Sequence, residues 1–506
     1  MARVPALTTS IQYTQHYLLE KLVVKGVVVL MGFCSLSTLA MADRHGEDSP
    51  YFAGWKAYDL NPYDLLYNPS GIIQMGLAEN QVGTDLLEEW LEKHSDIPTW
   101  KGTLTSFKQT ALYQDYHGLA NFRKALANFM AEVRGRRVKI DPDMIVLTAG
   151  ATAGNEILTF CIADPGEALL VPTPYYPGFD RDLRWRTGVD IIPVKCYSYN
   201  NFEVTLPALE KAYQEGLSKK QSIKAILITN PSNPLGLTIS PQTLTMILDF
   251  AAEKSIHVIS DEVYAGTVFS SQPFTSILEI VQSSNKYDPE TVHVVYSLSK
   301  DLGLPGFRIG AIYSSNPRII TASRRMSSFS LISSQTQVLL KCLLSDSGFI
   351  AEYLATIKER LKRRHGEFKR GLKEIGIDSL EGNAGLFSWV NLRNLLVCDN
   401  WDGEMKLWRV ILEEIGLNVS PGCSFHCEEP GWFRVCYGNM SEDEMNVALG
   451  RIKAFMSAGR AQEIAVLSMG KTDALAAAEG SSGVAAAACT SLGLDAGDLQ
   501  PEPLAH

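Results

Sequence analysis

One stretch, Ser297-Leu298-Ser299-Lys300-Asp301-Leu302-Gly303-Leu304-Pro305-Gly306-Phe307-Arg308, gathers two hydroxyls, a lysine and an arginine on a glycine- and proline-rich loop. A lysine held out of water is a nucleophile for an aldehyde. Serines and an arginine suit a phosphate. An aldehyde and a phosphate on one small molecule describe pyridoxal phosphate. Alone, the same stretch also reads as a surface loop with a solvated lysine.

Other stretches add matching chemistry. Ile256 to Ser260 is an apolar run that ends in Asp261-Glu262-Val263-Tyr264. An aspartate there can pair with a protonated pyridine nitrogen, and Tyr264 can reach a ring hydroxyl. Thr229-Asn230-Pro231-Ser232-Asn233-Pro234 follows another apolar run, and the Asn233 amide can donate to a ring oxygen. Thr148 to Glu156 is a small-residue turn whose free N–H groups, with Thr152, would hold an anion. Thr173-Pro174-Tyr175-Tyr176-Pro177-Gly178-Phe179 offers an aromatic to stack on a flat ring. Trp432-Phe433-Arg434-Val435-Cys436 buries an arginine, whose partner is either an internal acid or a substrate carboxylate. His117, in Tyr113 to Leu119, reads as structural.

These motifs need a scaffold. Met144–Thr148, Ala168–Pro172, Asp190–Val194, Ile223–Thr229, Ile256–Ser260, Val292–Tyr296 and Ile309–Tyr313 read as strands. Helical patterns such as Ala153–Ala163, Leu206–Tyr213 and Thr243–Lys254 alternate with them. That alternation predicts a mostly parallel sheet covered on both faces, with ligands at the carboxyl ends of the strands. Helical spacing also marks Asp85–Glu92 and Asn121–Arg134, whereas His45–Asn80 reads as an extended arm and Gly102–Asp115 as a loop. From Gln335 the chain becomes α+β: a charged helix at Ile357–Ile375, a strand at Leu386–Leu392, a helix at Glu404–Ile415, a strand at Trp432–Cys436 and a helix at Glu442–Phe455. The Ala-, Gly- and Ser-rich end has no core pattern and reads as a disordered tail.

The 506 residues suffice for two or three domains, and 46% hydrophobic with 20% charged residues suits a soluble enzyme. A net charge of -10 argues against nucleic acid and against a polybasic membrane surface. The nine cysteines show no regular framework; Cys161 and Cys436 lie in apolar runs and read as reduced thiols, which suits the cytosol. Cys423, His426 and Cys427 lack a second pair, so no metal site is expected. Gly26 to Ala42 imitates a secretory signal, and no other stretch approaches a membrane span.

Taken in order, these stretches resemble fold-type-I pyridoxal phosphate enzymes of the aspartate aminotransferase superfamily. The likeness narrows with Ser49-Pro50-Tyr51-Phe52-Ala53-Gly54-Trp55-Lys56-Ala57-Tyr58, Gln74-Met75-Gly76-Leu77-Ala78-Glu79-Asn80-Gln81 and Gln114-Asp115-Tyr116-His117-Gly118-Leu119. With the Tyr176, Lys300 and Arg434 stretches, these are similar to the plant 1-aminocyclopropane-1-carboxylate (ACC) synthase family, over about His45 to Phe455. The resemblance implies an α/β fold-type-I transferase, a mostly parallel large-domain sheet beside a smaller α+β domain. Its segments would be an N-terminal extension (1–44), an arm with part of the small domain (45–90), a large cofactor-binding domain (91–334), a small domain (335–457) and the tail (458–506). The signal-like run overlaps what looks like the family's ordinary start, so a cytoplasmic protein with an unusual extension or an alternative start is expected.

The resemblance also implies roles. Lys300 would hold the cofactor, Asp261 its ring nitrogen, Asn233 and Tyr264 its ring oxygen, and Tyr176 its face. Ala151, Thr152, Ser297, Ser299 and Arg308 would bind its phosphate. Tyr116 would reach the neighbouring subunit's phosphate, which implies a homodimer. Arg434 would clamp the substrate α-carboxylate near Glu79. The implied reaction turns S-adenosyl-L-methionine into ACC and methylthioadenosine, with Lys300 as general base; ACC leads to ethylene. An aminotransferase, a C–S lyase and an inactive regulator share the fold; the retained Lys300, Asp261, Tyr264, Arg308 and Arg434 argue against the last. Phe425 and Gly438, where smaller or different residues are usual, leave substrate preference more open than cofactor binding.

Overall fold

The computed structural model describes residues 49–94 and 112–457, with two strand pieces, Val23–Val24 and Val27–Val28. Those two pair antiparallel within a separate unit, Met1–Ala42. Apart from Val27–Val28, the signal-like run lies outside the described residues, as do most of the Gly102–Asp115 stretch and the tail after Ser457.

Seven apolar runs form the central sheet: β1 (Ile145–Ala149), β2 (Ala168–Pro172), β3 (Asp190–Val194), β4 (Ile223–Thr229), β5 (His257–Asp261), β6 (Val292–Ser297) and β7 (Ile309–Ser314). Their spatial order is β1-β7-β6-β5-β4-β2-β3. Only β7 runs antiparallel, against β1 and β6. The other neighbours pair in parallel. The central strands β5 and β6 are buried almost throughout, which is why they read as unbroken apolar runs. Each of the seven strands expected for this sheet is present, displaced or lengthened by one residue where it differs at all.

The helices begin where the sequence caps them. Ser240 accepts from the Thr243 N–H at 3.1 Å and Pro241 opens the Pro241–Lys254 helix. Asp346 accepts from the Phe349 N–H at 3.0 Å and starts the Ser347–Glu374 helix well ahead of Ile357. One expectation fails. The arm was expected to be extended, yet Pro50–Leu60 is an α-helix. It buries only Tyr51 and Gly54, so no apolar stripe at helical spacing announces it. Gly54 permits a close approach, because a Cβ there would lie 2.2 Å from Asn418 Oδ1.

A four-stranded antiparallel sheet joins Asp378–Ser379, Phe387–Asn391, Trp432–Cys436 and Ser420–Pro421. Ile73–Gln74 pairs in parallel with Leu417–Asn418, which ties the arm to this C-terminal region. Among the described residues, no helix is long and apolar enough to cross a membrane.

Candidate active site

The carboxyl ends of β1, β4, β5 and β6 and the start of β7 meet at one edge of the sheet. There a cavity of about 280 Å³ is lined by Ala151, Thr152, Tyr176, Asn233, Asp261 and Tyr264. Ser297, Ser299, Lys300 and Arg308 complete the wall. Ten of the expected site residues thus converge from five separate stretches of chain.

The anion end is built by backbone geometry. β1 turns into the Gly150–Ile162 helix at Gly150, whose φ is +82°. A Cβ at Gly150 would lie 2.3 Å from Arg308 Nη2, so glycine lets the guanidinium lie against the helix start. Arg308, itself left-handed at φ +55°, donates to the Pro305 carbonyl at 2.9 Å and the Ala149 carbonyl at 3.2 Å. Ser297 donates to the Ile309 carbonyl at 2.7 Å and to Ser299 Oγ at 2.8 Å, and accepts from the Ser299 N–H. Two hydroxyls, a guanidinium and a helix N-terminus therefore surround one space, which is what a phosphate requires.

The reactive end carries two groups whose protonation is set by burial. Desolvation, then the Arg434 charge, lowers the Lys300 amine to about 8. Its Nζ donates to the Ala78 carbonyl at 2.6 Å, and Asn80 Nδ2 donates to the Lys300 carbonyl at 2.9 Å. Desolvation raises Asp261 to about 7, against hydrogen bonds from Asn155 Nδ2 at 3.2 Å and the Val263 N–H at 3.3 Å. No cation pairs with Asp261 among the described residues, which is costly for a buried carboxylate. Burial also pushes the Tyr176 and Tyr264 phenols well up, so both stay protonated donors.

Arg434 is fully buried. Its Nη1 donates to Asn233 Oδ1 at 2.9 Å and its Nη2 to the Gly76 carbonyl at 2.5 Å. The rings of Phe425, Phe387 and Tyr51 surround the guanidinium at 4.9, 5.1 and 5.4 Å. Among the described residues no carboxylate pairs with it, and its Nε has no acceptor. Of the two partners its sequence context allows, the internal acid is absent. Phe425 is one wall of this cage.

The cavity fits pyridoxal phosphate on the chain's own terms: a Cβ-free anion cradle, a desolvated lysine and an uncompensated carboxylate within one space. Residues 72–452 match the family described as aminotransferase class I and II. ACC synthase 7 of Arabidopsis thaliana is 57% identical over 84% of this chain and 96% of its own length. ACC synthase 3 of Solanum lycopersicum is 54% identical over 83% of this chain and 91% of its own. The chain belongs to the ACC synthase family. Its fold also matches aspartate aminotransferases from Thermotoga maritima (TM-score 0.64, 23% identity, 82% of this chain and 100% of that one) and Thermus thermophilus with maleate (0.67, 20%, 83% and 100%).

Three residues expected from the ACC synthase pattern are not on the cavity wall: Arg434 meets it through Asn233, and Tyr116 and Glu79 stand apart. Tyr116 is 46% exposed, beside a separate hollow lined by Tyr113, Leu331 and Gln337. Glu79 is half-buried and accepts from Gln81 Nε2 at 2.8 Å; its neighbours Leu77 and Ala78 line the cavity instead. Sequence reading gave no role to Tyr51, Trp55, Asn155 or Asp182, which also line it. Asn155 carried a signal, as a polar residue on the buried face of an apolar helix. Asp182 carried none, because it lies in a charged run that folds as an irregular π-helical turn, Asp180–Trp185. Cys161 and Cys436 are free thiols. Cys423 and Cys427 are free as well, and His426 pairs with Asp180 Oδ2 at 2.6 Å.

Proposed function

We propose that this chain converts S-adenosyl-L-methionine to ACC and methylthioadenosine, with pyridoxal phosphate held at Lys300. The observation that carries the reading is a desolvated Lys300 on the cavity wall together with a carboxylate-free Arg434 that bonds Asn233 on the same wall.

The bound cofactor supplies an electron sink for negative charge at the substrate Cα. The chain's residues do the rest. The Ala151 and Thr152 N–H groups, Ser297, Ser299 and Arg308 would hold the phosphate. Asp261 would accept the ring N–H and keep the ring cationic. Arg434 takes the Asn233 oxygen, which leaves the Asn233 amide N–H to donate to the ring oxygen together with Tyr264. Tyr176, on the cavity wall, would stack on the ring. Arg434 Nε is the donor left for the α-carboxylate. Lys300, half neutral near pH 8, removes the Cα proton as general base. The Cα–Cγ bond then forms as the Cγ–S bond breaks, methylthioadenosine leaves with that electron pair, and one proton is released. Holding the two carbons of one substrate together favours closure over intermolecular loss.

The reading includes a homodimer with shared sites. Tyr116 lies outside the cavity of its own chain and borders a hollow with the exposed Tyr113 and Leu331. A residue placed there can serve a second copy. The reduced thiols of Cys196, Cys427 and Cys436 suit a cytoplasmic setting.

Borohydride reduction of the loaded protein followed by peptide mapping tests the cofactor assignment. The reading expects a pyridoxyl group on Lys300 and no visible band in Lys300→Ala. A retained band in that variant, or label on another lysine, would refute it.

A further inference from the structure

Asp182 is 3% exposed and lines the same cavity as Asp261, Thr152 and Asn155. Its Oδ1 meets Arg181 Nε at 3.3 Å. Its Oδ2 is buried and makes no hydrogen bond of ordinary geometry, and neither does Asn155 Oδ1 on the adjacent helix. The cavity wall therefore presents one carboxylate oxygen and one amide oxygen without a donor, beside the cation-free Asp261. Within the described chain the groups bearing on Asp182 are Arg181 on its own turn, Thr152 and Glu156 on the Gly150–Ile162 helix, Asp261 at the end of β5, and Tyr176. Glu156 is already paired with Arg186 at 3.1 Å, which leaves Asp261 without a cation and Asp182 with Arg181 on one oxygen only. Burial holds Asp182 at about 6, against Arg181 and Thr152, so it is mostly charged at neutral pH.

An oxygen left unpaired in a buried site costs the empty protein stability. Such a group persists where a ligand arrives to satisfy it. We propose that Asp182 is a second carboxylate of the cofactor site, which with Asp261 sets how tightly the cavity holds a protonated heteroaromatic ring. The inference rests on the pyridoxal phosphate reading and extends it to a residue outside the expected set. The bland alternative makes Asp182 a tether that fixes the Asp180–Trp185 turn through Arg181. The two differ in sign for the empty protein: a tether lost destabilises it, whereas an unpaired acid removed does not.

The test compares wild type with Asp182→Asn and Asp182→Ser. Cofactor-free protein is titrated with pyridoxal phosphate by fluorescence quenching and melted, and the pH midpoint of the visible band is recorded on loaded protein. The expected result is affinity weaker by about tenfold in both variants, with empty-protein melting unchanged or raised. The visible midpoint should fall by about half a pH unit or more, because removing a negative charge disfavours the cationic form. Unchanged affinity and midpoint would overturn the inference. So would variants that melt earlier or fail to fold, since that is what a tether does. If wild type itself takes up no pyridoxal phosphate, the cofactor reading falls and this inference with it.

Discussion

Arg434 donates to Asn233 at 2.9 Å, so the group assigned to the substrate carboxylate and the group assigned to the cofactor ring share one amide. Asn233 follows β4, in the central sheet, and Arg434 lies on the Trp432–Cys436 strand of the smaller sheet. The contact makes substrate and cofactor orientation a single geometric quantity. Asn233→Ala should therefore weaken both: a charge-assisted hydrogen bond is worth about 1.5–3 kcal/mol, so KM for S-adenosyl-L-methionine should rise by about tenfold or more. The double variant with Arg434→Ala should lose less than the sum of the singles, by about 1 kcal/mol or more in kcat/KM. Strict additivity would show that the contact couples nothing.

Gly150 makes a sharper prediction about the anion cradle. Its φ of +82° and the 2.3 Å approach of Arg308 leave no room for a side chain. Gly150→Ala should cost about 1–3 kcal/mol of stability through backbone strain. It should also displace the guanidinium, so the variant should bind pyridoxal phosphate at least ten times more weakly while binding non-phosphorylated pyridoxal almost as wild type does. Equal losses for both ligands would place the phosphate elsewhere.

The pH dependence of the empty protein follows from Lys300 and Asp261. A lysine lowered to about 8 is neutral above that value, so the rate of cofactor uptake should climb with pH through about 8 and vanish in Lys300→Ala. Asp261 is raised from the ordinary 3.8 to about 7, so between those values the folded chain binds more protons than the unfolded one. Stability of the empty protein should fall as pH rises through that window. Asp261→Asn should shrink the fall, leaving the share of Asp182 (raised to about 6) and Asp301 (raised to about 7), and stabilise the cofactor-free protein at pH 8 by on the order of 3 kcal/mol, read from thermal or denaturant unfolding. A destabilised variant at pH 8 would mean that Asp261 already has a partner in the chain.

What the sequence made legible divides by range. The strand ends that carry Asp261 and Lys300 are local patterns, an apolar run followed at once by a polar residue, and they were readable without any tertiary knowledge. The Pro50–Leu60 helix was not, because its burial comes from Tyr51 and a glycine packed on Asn418 rather than from a stripe of its own. Arg434 was visible as a buried cation, but its aromatic cage joins Tyr51, Phe387 and Phe425 from three distant segments. Asp182 was invisible, because its charged surroundings in the chain say nothing of the cavity it faces.

Tyr116 tests the shared site. Neither Tyr116→Ala nor Lys300→Ala should act well alone, since one lacks a phosphate contact and the other the base. Mixed and re-associated, they should recover up to about a quarter of wild-type activity, because half of the dimers then hold one intact site. Silence in the mixture would confine Tyr116 to its own subunit.

The central claim is ring closure at Cα by a chain that positions base and carboxylate clamp around one cofactor. The most direct measurement is product analysis of the purified, cofactor-loaded protein with S-adenosyl-L-methionine alone, by mass spectrometry. The account predicts ACC and methylthioadenosine in equal amounts from wild type and neither from Lys300→Ala. Methylthioadenosine without ACC, or a keto acid formed by exchange of amino groups, would contradict it.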